Sequence, residues 1–228
     1  MRNVLTLSPF RRSLATVAVA TMVVTGPAAA TVARADDGDQ LITSAQAEVS
    51  VDGRQVFDDA FRVIEFDDPV VNPGNLAYAH AVGCEGCQAV ALSFQIVLVQ
   101  EPPEQVVPEN VALSLNENCN TCVAAAGAYQ FVVGGHPVRL TGSGRQQLHR
   151  ISDQVDALRW SGVTGPEMVA QADALADQVQ SVLKAELRST DENGEGDGKA
   201  RVDERRVRDN GRDGRSEDSQ VYEVDSES

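Results

Sequence analysis

The chain is poor in the residues that most catalytic and metal-dependent enzymes rely on. Its 228 residues include 3 histidines, 4 cysteines and 1 tryptophan. H-E-x-x-H is absent, which removes the zincin route to hydrolysis, and G-x-S-x-G is absent, which removes the nucleophile elbow. Bases are scarce as well: 19 Lys and Arg stand against 34 Asp and Glu, a net charge of −15. A phosphate backbone needs a basic footprint, so nucleic acid is not an expected partner. Nothing in the composition points to a cofactor, and no residue presents itself as catalytic.

What is present begins with a leader. Arg2, Arg11 and Arg12 form a positive start, Ser13 to Ala30 an apolar stretch, and Ala33-Arg34-Ala35 an A-x-A site before Asp36. This pattern reads as a signal peptide over residues 1–35. Gly26-Pro27 interrupts the apolar stretch and argues against a permanent anchor, which needs about 20 apolar residues in succession. A secreted or extracytoplasmic envelope protein with no span after leader removal is expected. In that oxidising setting an even cysteine count favours disulfides.

At the other end, residues 189–228 hold 13 acids, 7 bases and only 6 apolar residues. So little apolar surface does not offset the roughly 1–2 kcal/mol per residue that ordering a backbone costs, and a disordered acidic tail is expected. Asp191, Asn193, Glu195 and Asp197 alternate as in a calcium loop, but Val202 stands where the closing glutamate should be.

Between these ends lies an internal repeat. Pro73-Gly74-Asn75-Leu76-Ala77 recurs 35 residues later as Pro108-Glu109-Asn110-Val111-Ala112, and at the same offset Cys84 and Cys87 meet Cys119 and Cys122. Nine of the 25 positions from 73 to 97 are identical in the second copy, too many for unrelated segments. A diverged copy precedes them: Ala60-Phe61-Arg62-Val63-Ile64 matches Ser93-Phe94-Gln95-Ile96-Val97, with Asp52-Gly53 in place of C-x-x-C. Asp-Gly is a strong hairpin signal. Val90, Leu92, Phe94, Ile96 and Leu98 alternate with smaller or polar residues, as half-buried strands do. The expected fold over residues 36–141 is therefore three consecutive antiparallel β-hairpins, about six strands, with C-x-x-C at two of the tips.

The period then lengthens. Leu148, Ile151, Val155 and Leu158 share one helical face, Ser161-Gly162-Val163 breaks it, and Thr164-Gly165-Pro166-Glu167 forms a capping box. Met168, Ala172, Leu175, Val179 and Val182 continue a second amphipathic helix. Residues 142–188 thus read as an αα-hairpin that covers the sheet or mediates self-association, and the class is α+β. Gly142-Ser143-Gly144 reads as a flexible linker before it.

The cysteines carry the one sharp chemical signal, and several readings compete. Cys84–Cys87 and Cys119–Cys122 could each close a tip as a local disulfide, since residues i and i+3 of a turn lie within reach. Alternatively, two C-x2-C tips supply the four thiolates of a structural zinc site, or disulfides run between the pairs. A redox centre needs a low-pKa thiolate, and Glu85 and Glu117 beside the cysteines oppose that. His80 reads as a packing residue because Leu115 takes its place in the next copy, His136 as a loop residue and His149 as a solvated one. The pairs Asp58-Asp59 and Asp67-Asp68 could serve as carboxylate catalysts or calcium ligands, but read as surface acids.

The doubled pattern N-L-A-Y-A…C-E-G-C-Q-A-V-A-L-S-F-Q-I-V-L-V and N-V-A-L-S-L…C-N-T-C-V-A-A-A-G-A-Y-Q-F-V-V resembles a repeat region of secreted or membrane-linked actinobacterial proteins, some carrying a peptide zinc metalloprotease label. The likeness runs from about Ala45 to Arg188. Because that label rests on an H-E-x-x-H membrane domain missing here, no catalytic residue carries over. The resemblance implies an actinobacterial envelope setting and a non-catalytic module. The function expected is an exported structural or interaction module with an envelope protein or peptide as partner. The alternative is a zinc-binding protein using all four cysteines, or a metalloprotease-accessory protein.

Overall fold

The structure, a computed structural model, describes residues 32–34, 41–66, 70–100, 105–134, 138–189, 201–211 and 222–225. In chain order its strands are β1 (Val32–Arg34), β2 (Ile42–Val49), β3 (Gln55–Phe66), β4 (Val70–Val71), β5 (Gly74–Val82), β6 (Gln88–Val99), β7 (Gln105–Val106), β8 (Glu109–Glu117), β9 (Val123–Gly134) and β10 (Val138–Leu140). Helix α1 (Gly142–Ala157), a 3-10 turn (Leu158–Trp160) and α2 (Gly165–Glu186) follow, then β11 (Leu187–Ser189), β12 (Arg201–Asp209) and β13 (Tyr222–Asp225).

The repeats are not hairpins. The two long strands of each copy lie in different sheets and pair with their counterparts in the neighbouring copies. One sheet has the order β1-β3-β6-β9-β12-β13 and the other β2-β5-β8. Pairing of β3 with β6 and of β6 with β9 is parallel, as is that of β2 with β5 and of β5 with β8. The three copies are thus successive coils of a short β-solenoid, each contacting chiefly its neighbours. Between β6 and β9 the register equals the sequence repeat, so Phe94 lies beside Tyr129 and Gln95 beside Gln130.

Asp-Gly and C-x-x-C therefore turn the chain from one sheet to the other. At the first turn only Gly53 has positive φ, whereas a two-residue type I′ hairpin needs it at both central positions. In the cysteine turns Gly83 and Gly86 adopt φ of 63° and 62°, and Asn118 and Thr121 adopt 50° and 56° at the matching positions. With these conformations the turns hydrogen-bond to one another along the stack: Gly53 N–H to Glu85 O at 2.8 Å, and Gly86 N–H to Asn120 O at 2.9 Å.

The alternation that suggested half-buried strands has a different cause. Large residues of β6 and β9 face the helices, where Val90, Leu92, Phe94, Tyr129 and Phe131 pack with Leu148, Ile151, Val155, Met168 and Val179. Small ones face the three-stranded sheet, where Ala89, Ala91, Ala124 and Ala126 meet Ala45, Ala47, Ala77, Ala79 and Ala81. Both faces of the central sheet are covered, as parallel sheets require. Three aromatic rings stack across the coils, Phe61 to Phe94 at 5.5 Å and Phe94 to Tyr129 at 4.4 Å.

Buried polar side chains tie the layers together. Gln95 Nε2 donates to Leu41 O, Thr43 Oγ1 and Gly74 O at 2.7, 3.1 and 2.9 Å, while Gln130 Nε2 donates to Gln95 Oε1 at 2.8 Å and to Pro73 O at 3.0 Å. Asn75 and Asn110 form a second ladder at 2.9 Å, and Asn75 Nδ2 also reaches Ser93 O and Tyr129 O. Each amide bridges two coils or both sheets.

The helices fall where the sequence places them. Every apolar position singled out on them is buried, and Glu167 accepts from Thr164 N–H and Oγ1 at 2.9 Å. Gly142-Ser143-Gly144 forms the first turn of α1, with Thr141 Oγ1 accepting from Gly144 N–H at 3.0 Å, rather than a linker. Part of the expected tail also has structure. Arg201–Asp209 pairs antiparallel with β9, burying Val202, Glu204 and Val207. A preformed sheet edge supplies the apolar surface that this segment lacks by itself. The leader up to Thr31, Asp67 and Asp68, His136, and Asp191 to Asp197 lie outside the described residues; β1, read as part of the leader, runs parallel to β3. Among the described residues no helix is long and apolar enough to cross a membrane.

If the amide ladder fixes the stack, Gln95→Met should destabilise the fold by about 2–4 kcal/mol, because Leu41 O, Gly74 O and Thr43 Oγ1 lose the Gln95 donor. Equilibrium urea unfolding measures this, and a loss under about 0.5 kcal/mol would contradict the ladder's role.

Candidate functional site

Parallel stacking places the second C-x-x-C turn directly on the first. Glu85 and Asn120 form a parallel bridge, Asn120 N–H donates to Cys84 O at 3.2 Å, and Val123 N–H donates to Cys87 O at 2.9 Å. All four sulfurs lie within 4.8 Å of one another. Cys84 and Cys87 are joined by a disulfide with Cα atoms 6.1 Å apart, while Cys119 and Cys122 are free thiols. Cys84 Sγ is 3.8 Å from both Cys119 Sγ and Cys122 Sγ, and Cys87 Sγ is 3.0 Å from Cys122 Sγ.

In this arrangement Cys122 Sγ is not collinear with the Cys84–Cys87 bond. Collinear attack by Cys122 on Cys87 would make its distances to the two bonded sulfurs differ by a full S–S bond, about 2 Å. At 3.0 and 3.8 Å they differ by less than half of that. Burial pushes the Cys122 thiol pKa up and the Cys119 sulfur pushes it further, which disfavours the thiolate.

Of the aspartates read as surface acids, Asp58 caps an edge of the fold. Asp58 Oδ2 accepts from Gln46 N–H at 2.7 Å and Arg62 donates to Ile42 O at 2.9 Å, occupying the outer edge of β2. On the opposite edge Asp209 Oδ2 accepts from Ser114 N–H at 2.9 Å and Gly211 N–H reaches Ser114 Oγ. Side chains thereby occupy ladder groups that would otherwise recruit another strand. Asp59 lies 3.1 Å from Arg159, whose guanidinium stands over the Phe57 ring, 5.4 Å from its centre. Burial raises the Asp59 pKa to about 6, Asp156 nearby adds to the rise, and Arg159 opposes it. Burial also raises Asp58, Asp173 and Glu204. Asp173 accepts from Tyr129 Oη at 3.0 Å and pairs with Arg208 at 2.9 Å, while Glu204 pairs with Arg206 and accepts from Gln180 at 2.6 Å. Each displaced carboxyl is thus engaged in a structural contact.

The two described histidines, His80 and His149, do not converge. His80 lies on the outer face of β5, 3.4 Å from Glu117 and in register with Leu115. His149 is on the exposed side of α1, 3.7 Å from Asp153.

That outer face is the surface that periodicity misses, because its residues alternate with an alanine layer buried on the other side. Leu76, Tyr78 and His80 of β5 lie in register with Val111, Leu113 and Leu115 of β8. Val111 and Leu113 are 38% and 39% exposed. A groove of about 960 Å³ continues the patch past Ile42, Val70, Val107 and Pro108. Glu48, Glu109 and Glu117 stand on the same face.

The Asp59 environment has a definite pH signature. Its protonated form is favoured in the folded state, so stability should fall as pH rises from about 4 to about 6, by roughly 2 kcal/mol from this group. Asp58, Asp173 and Glu204 act in the same direction. Denaturant midpoints across this range should decline in the wild type and decline less in Asp59→Asn, and a side-chain carboxyl resonance for Asp59 titrating near 4 would contradict the assignment. No family model, curated protein or solved structure matches this chain, so only its own residues bear on its relationships.

Proposed function

We propose that the chain is a non-catalytic interaction module, exported to the cell envelope, that binds an extended cationic and apolar peptide segment on the outer face of its three-stranded sheet. The observation that carries this reading is the two-strand apolar array of Leu76, Tyr78, Val111, Leu113 and Leu115 in register on a solvent-facing sheet. Coherent apolar patches of this kind mark binding surfaces. Side chains that occupy an N–H on each edge, Gln46 on β2 and Ser114 on β8, interrupt strand addition to the three-stranded sheet and favour recognition on its face. Acids on that face, in a chain of net charge −15, favour a partner bearing lysine or arginine between its apolar side chains. The leader supports the envelope setting.

Fluorescence titration of the full chain with a labelled synthetic peptide of alternating lysine and valine tests this. Leu113→Asn should weaken binding about tenfold, while Trp160→Asn, 81% exposed on the helical side, should leave it unchanged. The peptide should also bind more weakly as salt is raised. Equal binding by wild type and Leu113→Asn would overturn the proposal. So would a Leu113→Asn change confined to self-association in sedimentation, which would make a second copy the occupant.

A further inference from the structure

We infer that the four stacked cysteines form a tetrathiolate site for one zinc ion. The inference rests on how the fold, independently of the sulfurs, assembles them. Coil stacking is fixed by the β6–β9 and β5–β8 ladders and by the amide ladders between the sheets. This stacking lays Cys84 and Cys87 against Cys119 and Cys122 and gathers the four sulfurs within 4.8 Å. A tetrahedral zinc ion with bonds of about 2.3 Å spaces its sulfurs about 3.8 Å apart. The Cys84–Cys119 and Cys84–Cys122 separations are both 3.8 Å, while Cys87–Cys122 is 3.0 Å and Cys84–Cys87 is closed as a disulfide, so loading must open those two contacts.

Two further features favour a metal over separate disulfides. First, all four sulfurs are mutually within reach, so oxidation has several competing pairings, whereas a tetrahedral ion engages all four in one arrangement. Second, the site is preorganised and partly shielded: Cys84 and Cys87 are 4% and 1% exposed, Cys119 and Cys122 are half-buried, and the turns are hydrogen-bonded to each other. A four-thiolate set of this geometry selects a borderline-soft ion such as zinc over hard cations. The first turn, Asp52-Gly53, carries no cysteine, so three coils yield one site. Its Asp52 Oδ1 instead accepts from Glu85 N–H at 2.8 Å, holding the backbone between the two lower ligands.

Loading proceeds on four thiols. Four S–H bonds break, four Zn–S bonds form, and four protons pass to water, with no change of oxidation state. The Cys84–Cys87 disulfide is the oxidised alternative for the same sulfurs, and zinc must be loaded before that bond closes.

Native mass spectrometry and elemental analysis of the full chain, purified without reductant or chelator, test the site. One zinc per chain is expected, with four titratable thiols after denaturation and chelation. Cys119→Ser should lose zinc, and Thr121→Ala, in the same turn but without a ligand, should keep it. Because Cys119→Ser could fail to fold, cobalt(II) is added anaerobically to reduced wild-type protein as a second measurement, and one equivalent should produce the intense thiolate-to-cobalt charge-transfer and tetrahedral bands of a four-sulfur site. Protein that is metal-free and four hydrogens light as purified, and that takes up neither zinc nor cobalt after reduction, would overturn the inference.

Discussion

In-register stacking of the coils is the constraint on which the rest of this structure depends, and buried amides make the register specific. An apolar parallel sheet tolerates a slip at modest cost when its side chains are similar in size. Gln95 and Gln130 do not, because each is fully buried and a displaced amide loses its hydrogen-bond partners. A slip of one residue would also exchange the alanine layer with the aromatic layer. Sheet spacing, helix docking and the placement of the turns all follow from this one alignment.

The two ends of the stack raise the same problem and meet it with the same chemistry. A solenoid needs its terminal coils closed against further pairing. At the first coil Asp58 and Arg62 occupy the exposed ladder groups of β2, and at the last Asp209 occupies an N–H of β8. Arg62 and Arg205 stand in register with the Gln95–Gln130 ladder at its two ends. Charged residues thus appear where the repeat stops and neutral amides where it continues. The cost of holding carboxyls there is visible in the raised pKa values of Asp58 and Asp59.

Much of this is legible in the sequence, and the errors are instructive. The repeat, both helices, the capping box and the approximate strand positions can be read directly. Pairing cannot, because Asp-Gly favours a hairpin locally while the long-range match between copies favours parallel neighbours, and the copies win. The decisive signal is a polar residue, glutamine, repeated at the same place within otherwise apolar runs. Reading alanine as a solvent-facing position hides the second buried face and therefore the outer patch on β5 and β8. Strand β12 is invisible for another reason: its own composition does not support order, and the edge of β9 supplies what it lacks. The four cysteines stand out at once, and a shared site is among their readings. Hairpin pairing favours two separate tips, whereas parallel stacking merges them into one cluster.

The most direct test of the stacking is a cross-link between coils. Tyr78→Cys and Leu113→Cys are register partners on the exposed face of β5 and β8, and mild oxidation should join them, as mass mapping of the digest would show. Tyr78→Cys paired with Glu109→Cys lies on the same face but out of register and should stay unlinked. Linkage of the second pair as readily as the first, or of neither, would contradict the parallel, in-register solenoid.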